Sequence, residues 1–235
     1  MFMNQSKISS GIGVIDKLLN GGFEKDVLST IYGPAGSGKS NIGLCLVANT
    51  LRQGKKVIFI DTEGSFSVER IKQIFPQFED LAGNLLFLKP TNFEEQKMAF
   101  ETLHRTLNVE KKQFDVIIID SIAMLYRLEI GKTQDIYNIN RELGRQLGQL
   151  TELARRRNIP IIITNQVYSD FESDAVKMVG GDLLKYSSKC LIELKNHEGY
   201  REAILRKHRS IAEKTNIKFN IVNEGLIEFN EESED

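Results

Sequence analysis

Short apolar runs rich in β-branched residues alternate along this chain with longer stretches in which apolar positions recur every three to four residues. The short runs are Leu28–Tyr32, Val57–Asp61, Leu85–Leu88, Val116–Asp120 and Ile161–Thr164. The longer ones lie near Lys39–Arg52, Val68–Phe75, Phe93–Leu107 and Asp135–Arg157. Strands and helices alternating in this way predict an α/β fold with a mostly parallel central sheet and helices on both faces. Val-Ile-Ile-Ile at 116–119 and Ile-Ile-Ile at 161–163 are apolar at successive positions, as in strands buried on both faces. After Gly180 the rhythm changes. Cys190–Lys195, Arg201–Arg206, Ile217–Val222 and Leu226–Phe229 read as consecutive short strands, an antiparallel C-terminal extension of the same sheet.

Composition narrows this little. The 235 residues suit a single domain over 1–235 and are enough to bury a substantial core. Lys and Arg number 31 against 32 Asp and Glu, so any nucleic-acid site must come from local clustering and not from bulk charge. Asn230–Asp235 reads as a solvated acidic tail. Cys45 and Cys190 both fall in apolar stretches and read as buried thiols, which fits a reducing cytoplasm. No segment approaches the length of a membrane span.

The chemistry enters at Gly33-Pro34-Ala35-Gly36-Ser37-Gly38-Lys39-Ser40, which matches G-x-x-x-x-G-K-[ST] between a β-branched strand and an amphipathic helix. Glycines at these positions let backbone N–H groups converge on phosphates, and the helix N-terminus adds a favourable dipole. The motif predicts ATP with Mg²⁺. Lys39 would reach the β and γ phosphates, Ser40 would ligate the metal, and Asn41 would flank the cradle. Asp120, ending the apolar run 116–119, would hold Mg²⁺ directly or through water. Glu63 follows the strand Val57–Asp61. It reads either as the base that orients the attacking water or as a carboxylate stabilised by a helix N-terminus. Gln166, after the strand Ile161–Thr164, reads either as a γ-phosphate contact or as a polar strand end.

The order of these motifs carries a resemblance. Ser10-Gly11 and Ile15-Asp16-Lys17-Leu18-Leu19-Asn20-Gly21-Gly22 precede the phosphate loop. Glu63, Phe66 and Glu69-Arg70 follow the second strand; then come Ile119-Asp120-Ser121, Ile163-Thr164-Asn165-Gln166-Val167 and Gly180-Gly181. The set resembles the RecA/RadA/Rad51 recombinase core across nearly the whole chain. The Lys207-His208-Arg209 element and the short chain resemble an archaeal paralogue branch that lacks the N-terminal helix-hairpin-helix domain. The resemblance implies that Glu63 is the catalytic carboxylate, that Arg70 stacks on adenine, that Gln166 senses the γ-phosphate, and that the Asp120–Ser121 peptide is cis.

It also implies two DNA-facing loops. The first lies within Tyr126–Asn140 and carries Arg127 and Lys132. The second lies within Val167–Gly180 and carries Tyr168, Phe171 and Lys177 together with acidic Asp170, Glu172 and Asp174. Cations would bind phosphates and aromatics would stack on bases, or both loops are polar surface connections. Lys207, His208 and Arg209 read as a cation group acting on a neighbouring subunit's nucleotide, as a DNA-phosphate patch, or as a solvated turn.

The expected function is an ATP-binding, weakly hydrolysing, DNA-binding accessory protein of repair and homologous recombination, regulating RadA-type strand exchange and Holliday-junction processing. Its implied partners are DNA, a RadA-type recombinase, a Holliday-junction resolvase, a replicative polymerase and possible further copies of itself. The alternatives are a RecA-like regulatory ATPase of circadian-clock type without DNA binding, and a nucleotide-gated scaffold for repair partners.

Overall fold

A computed structural model describes residues 7–109, 113–132, 135–169 and 176–230. Its strands are β1 (Lys7–Ile8), β2 (Phe23–Glu24), β3 (Leu28–Gly33), β4 (Val57–Asp61), β5 (Leu85–Leu88), β6 (Val116–Asp120), β7 (Ile161–Ser169), β8 (Val176–Met178), β9 (Cys190–Asn196), β10 (Arg201–Lys207), β11 (Asn216–Val222) and β12 (Gly225–Glu228). Its α-helices are α1 (Gly13–Leu18), α2 (Lys39–Arg52), α3 (Val68–Ile74), α4 (Phe78–Leu81), α5 (Phe93–His104), α6 (Met124–Ile130), α7 (Ile136–Arg157) and α8 (Gly181–Ser187).

The main sheet runs β12-β11-β10-β9-β3-β7-β6-β4-β5, with β8 paired to β7 off this path. From β5 to β9 all neighbours are parallel. From β9 to β12 they are antiparallel. The expected C-terminal extension therefore begins one strand later than the sequence suggested: β9 docks parallel on β3, pairing Thr30 with Leu191 and Tyr32 with Glu193, and only then does the chain turn back on itself.

Successive residues of the central strands enter two different cores, because side chains alternate across a strand. Ile31, Phe59, Ile118, Ile162 and Ile192 face one layer, with α2 and α3. Leu28, Ile58, Ile117, Ile119, Ile161 and Ile163 face the other, with α5, α6 and α7. Both faces are covered, which is why these runs are apolar without a gap; each fully buried Ile or Leu contributes about 1.5–3 kcal/mol. The α7 stripe Ile139, Leu143, Leu147, Leu150 and Leu153 follows helical spacing against the second core.

Local signals set the helix ends. The Asn92 side chain accepts from Glu95 N at 2.9 Å to cap α5, and Ser67 accepts from Arg70 N at 3.1 Å to cap α3. Asn158, left-handed at φ 50°, closes α7. One expectation needed correction: the helix near Phe93–Leu107 stops at His104 and continues as a single π turn over Arg105–Val109, which keeps Leu103 and Leu107 in the same core. No helix among the described residues is long and apolar enough to cross a membrane.

Candidate functional site

Strand register assembles the site. Parallel pairing places Gly33 opposite Gln166 and Asp61 opposite Asp120, so three motif residues and Asp61 meet at the C-terminal edge of the sheet. Ligands bind at this edge in open α/β sheets.

The phosphate loop leaves β3 at Gly33 and enters α2 at Lys39. Gly38 sits at φ 104°, which a side chain would strain. Ser40 and Asn41 occupy the first turn of α2, half-exposed. Lys39 is 93% buried, and its Nζ donates to the carbonyls of Gly33 at 2.9 Å and Pro34 at 2.8 Å. Burial lowers its pKa, while the Glu63 and Asp120 carboxylates push it back up. The Ser37 hydroxyl is buried in this loop with no hydrogen-bond partner among the described residues. An orphaned hydroxyl and a buried cation held only by carbonyls fit an anionic phosphate group.

Three carboxylates share the edge and divide the work. Asp61 accepts from the backbone N–H of Glu63 (3.2 Å), Ser65 (3.0 Å) and Phe66 (3.1 Å), so it folds the segment that presents Glu63. Asp120 is almost fully buried and accepts from Ser65 Oγ at 2.5 Å and from Thr164 Oγ1. Glu63 accepts from Ser121 Oγ at 2.5 Å, and Gln166 Nε2 donates to both its oxygens at 3.1 Å. The Asp120–Ser121 peptide is cis, as the resemblance implied. Asp61 and Ser65 had no sequence signal of their own.

Arg70 lies beside the loop. Its guanidinium donates to Asn41 Oδ1 at 2.7 Å, to Gln73 Oε1 at 2.9 Å, and to the carbonyls of Val222 at 2.7 Å and Asn223 at 3.0 Å. These in-plane bonds tie the β11–β12 turn to α2 and α3. They leave stacking as the interaction still open to the guanidinium plane.

The outer wall of the loop comes from the C-terminal strands, which sequence reasoning missed. Asn196 Nδ2 donates to Ala35 O at 3.1 Å, and Arg201 Nε donates to Gly36 O at 3.0 Å. Both residues flank the β9–β10 turn. Nothing in their spacing marks them; they reach the loop because β9 lies next to β3.

The residues expected to face DNA separate. Arg127 sits exposed on α6 and Lys132 in the turn after it, its Nζ 3.9 Å from Glu129. Most of the expected first loop is helical, and Tyr126 is buried, its hydroxyl donating to Asn140 Oδ1 at 2.5 Å. Tyr168 and Lys177 pair in the β7–β8 ladder, and Phe171 lies outside the described residues. Lys207 ends β10, and His208 and Arg209 follow it, at the opposite edge of the sheet from the phosphate loop, since Lys207 pairs with Leu191 near the start of β9. Arg209 is paired with Glu24 at 2.7 Å and with Asp26 at 3.0 Å. The His208 side chain is buried beside Glu24. Lys207 Nζ donates to the Lys185 carbonyl at 2.7 Å.

Comparison with known proteins agrees with this geometry. The Rad51 family profile matches residues 3–229. The DNA repair and recombination protein RadB of Methanobrevibacter smithii is 41% identical over 232 residues, covering 96% of this chain and 97% of its own. The protein of that name from Methanosphaera stadtmanae is 42% identical over 218 residues, covering 91% and 92%. A crystal structure of the RadB recombinase superposes with a TM-score of 0.79 at 34% identity, over 94% of this chain and 99% of that one. The phosphate loop, the acidic strand ends and the mixed sheet thus occur together in a chain that belongs to the Rad51 family, in its branch of archaeal RadB DNA repair and recombination proteins.

Proposed function

We propose that this chain binds ATP·Mg²⁺ in the phosphate loop, hydrolyses it slowly, and works as a DNA-binding accessory protein in homologous recombination, in the cytoplasm. The observation that carries the reading is Glu63, held by Ser121 and Gln166 on the same strand edge as Lys39 and Asp120. Lys39 supplies fixed positive charge for the β and γ phosphates. Ser40 and Asp120 would hold Mg²⁺, which neutralises phosphate charge when bound. Glu63 orients the attacking water and accepts its proton. Both its oxygens already accept from Gln166, so water must compete for them, which supports slow turnover. Gln166 links Glu63 to the β7–β8 hairpin, the proposed second DNA loop, which couples nucleotide state to DNA contact. Tyr168, Phe171 and Lys177 are the proposed contacts there, and Arg127 and Lys132 those of the first loop.

At the end of β10 the Lys207 ammonium is held by a neutral carbonyl, whereas Arg209, just beyond, is neutralised by two carboxylates. Lys207 is therefore the one proposed to reach a DNA phosphate or a neighbouring copy's nucleotide. Regulation of a RadA-type recombinase and of Holliday-junction processing forms part of the same proposal, and membership of this family supports it.

The deciding measurement is anisotropy of labelled DNA titrated with the protein across a salt series, with and without ATP. Affinity at low salt that changes with ATP supports the reading, and absence of any binding at low salt removes DNA from it. A second expected result concerns the braces on the phosphate loop. Arg201→Ala and Asn196→Ala each remove one bond to an outer carbonyl, worth about 0.5–1.5 kcal/mol. Each is expected to weaken ATP binding about three- to tenfold in a fluorescent-nucleotide titration; unchanged affinity would mean that the loop holds its shape without them.

A further inference from the structure

The N-terminal edge of the parallel sheet, opposite the nucleotide site, carries a second concentration of charge. Asp115 N donates to Lys56 O at 2.8 Å, Ile117 N to Pro160 O at 3.2 Å and Ile161 N to Val27 O at 3.3 Å, which ties the starts of β4, β6, β7 and β3 into one floor. Two clefts of about 410 and 300 Å³ open on it and share Lys25 and Asp115. Lys7, Lys25 and Lys55 line the larger, and Lys25 and Arg157 the smaller.

Three of these four cations are fixed by neutral acceptors. Lys7 Nζ donates to the Leu19 carbonyl at 2.7 Å, Lys55 Nζ to Gln53 Oε1 at 2.6 Å, and Arg157 to the Leu107 carbonyl and to Asn108 Oδ1 at 3.1 Å. Among the described residues no carboxylate lies within ion-pair distance of any of the four. Asp115 is the one acidic residue lining either cleft, and it is engaged by the Lys56 backbone N–H at 3.0 Å. Geometry is thus set, and four cations against the one Asp115 carboxylate leave the lining of the two clefts at net +3, in a chain whose formal net charge is -1.

We infer that this paired cleft binds the phosphodiester backbone of a DNA strand, as a contact separate from the two loops at the opposite edge. Three of the cations come from the approaches to different strands of this floor: Lys25 precedes β3, Arg157 ends α7 ahead of β7, and Lys55 precedes β4. Four strand starts span three interstrand spacings, roughly 14 Å, enough for several phosphates at about 3.4 Å of rise each. A free phosphate would call for a convergent nest of N–H groups, and a membrane for exposed apolar anchors, whereas the lining here is mostly polar. With DNA contacts at both ends of the sheet, one molecule can hold two DNA segments, which suits a recombination accessory. The inference rests on the DNA-binding reading above.

The test compares wild type with Lys25→Gln/Lys55→Gln, both partly exposed, using labelled single-stranded and duplex DNA from 50 to 200 mM salt. Losing two phosphate contacts is expected to flatten the slope of log K against log salt by about 1.8 on duplex, or about 1.4 on single strands. ATP affinity should stay unchanged, and DNA should protect Lys25 and Lys55 of the wild type from acylation. Wild-type binding with an unaltered slope in the variant and no protection would overturn the inference and leave the loop-based reading standing. No wild-type binding at 50 mM salt would bring down both. Protection by an acidic peptide but not by DNA would assign the cleft to a protein partner and overturn it as well.

Discussion

Glu63→Gln is expected to lower ATP turnover about 10²- to 10⁴-fold, the range a positioned general base contributes. Affinity for ATP·Mg²⁺ should change less than about threefold. The amide matches the carboxylate in shape and can still accept from Ser121, so the strand edge keeps its geometry. It cannot take a proton from water. One local cost is foreseeable: Gln166 donates to both oxygens of Glu63, and a new NH2 group would face that donor, so the Gln166 amide must turn. Single-turnover hydrolysis together with an ATP titration separates the two effects. Brisk turnover that survives the substitution would show that another group handles the water.

Gly33→Ala is expected to damage both the fold and the nucleotide site. Gly33 does not occupy a left-handed conformation, so the usual reason for glycine in this loop does not apply to it. A Cβ there would meet the Leu194 carbonyl oxygen at 2.5 Å and Ser37 Oγ at 2.9 Å. The first is backbone of β9, held in the sheet by β3 and β10, and cannot swing aside. Overpacking of this kind costs about 1–3 kcal/mol, which for a chain of this size lowers Tm by roughly 2–12 °C. Moving β9 outward also withdraws Asn196 and Arg201 from the loop carbonyls, so ATP affinity should fall with stability. Gly148→Ala is the control of opposite sign. Gly148 lies inside α7 with nothing within 4 Å of an added Cβ, and alanine there should stabilise by about 0.5–1 kcal/mol. Thermal melts of the three proteins check the pair; a Gly33→Ala melt matching wild type would show that β9 yields.

Much of the site is legible in the amino-acid sequence alone, because its parts are local. The phosphate loop is one contiguous segment between a strand and a helix. Asp120 ends a strand whose apolar run announces it, and Gln166 follows directly on the apolar run of another, although β7 itself continues to Ser169. Other parts are not legible there. Asp61 looks like the last residue of a strand, and only its three backbone bonds show that it folds the Glu63 segment. Arg209 looks like a free cation until folding brings Glu24 and Asp26, the latter 183 positions away in the chain, to lie beside it.

The sequence by itself determined the central strands β3 to β7, the C-terminal strands β9 to β12 and the helices α2, α3, α5 and α7. Apolar periodicity and capping residues act within one or two turns of chain, and both cores follow from the alternation along Val57–Asp61 and Val116–Asp120. The tertiary structure decided which strand lies beside which. β9 docks parallel on β3, and that one choice gives Gly33 its steric reason, brings Asn196 and Arg201 to the outer carbonyls of the loop, and sends Lys207 to the far edge. Local pattern is blind to such pairing. Every strand offers the same backbone donors and acceptors on both sides, and the neighbour is selected only by the simultaneous burial of both faces of the whole sheet.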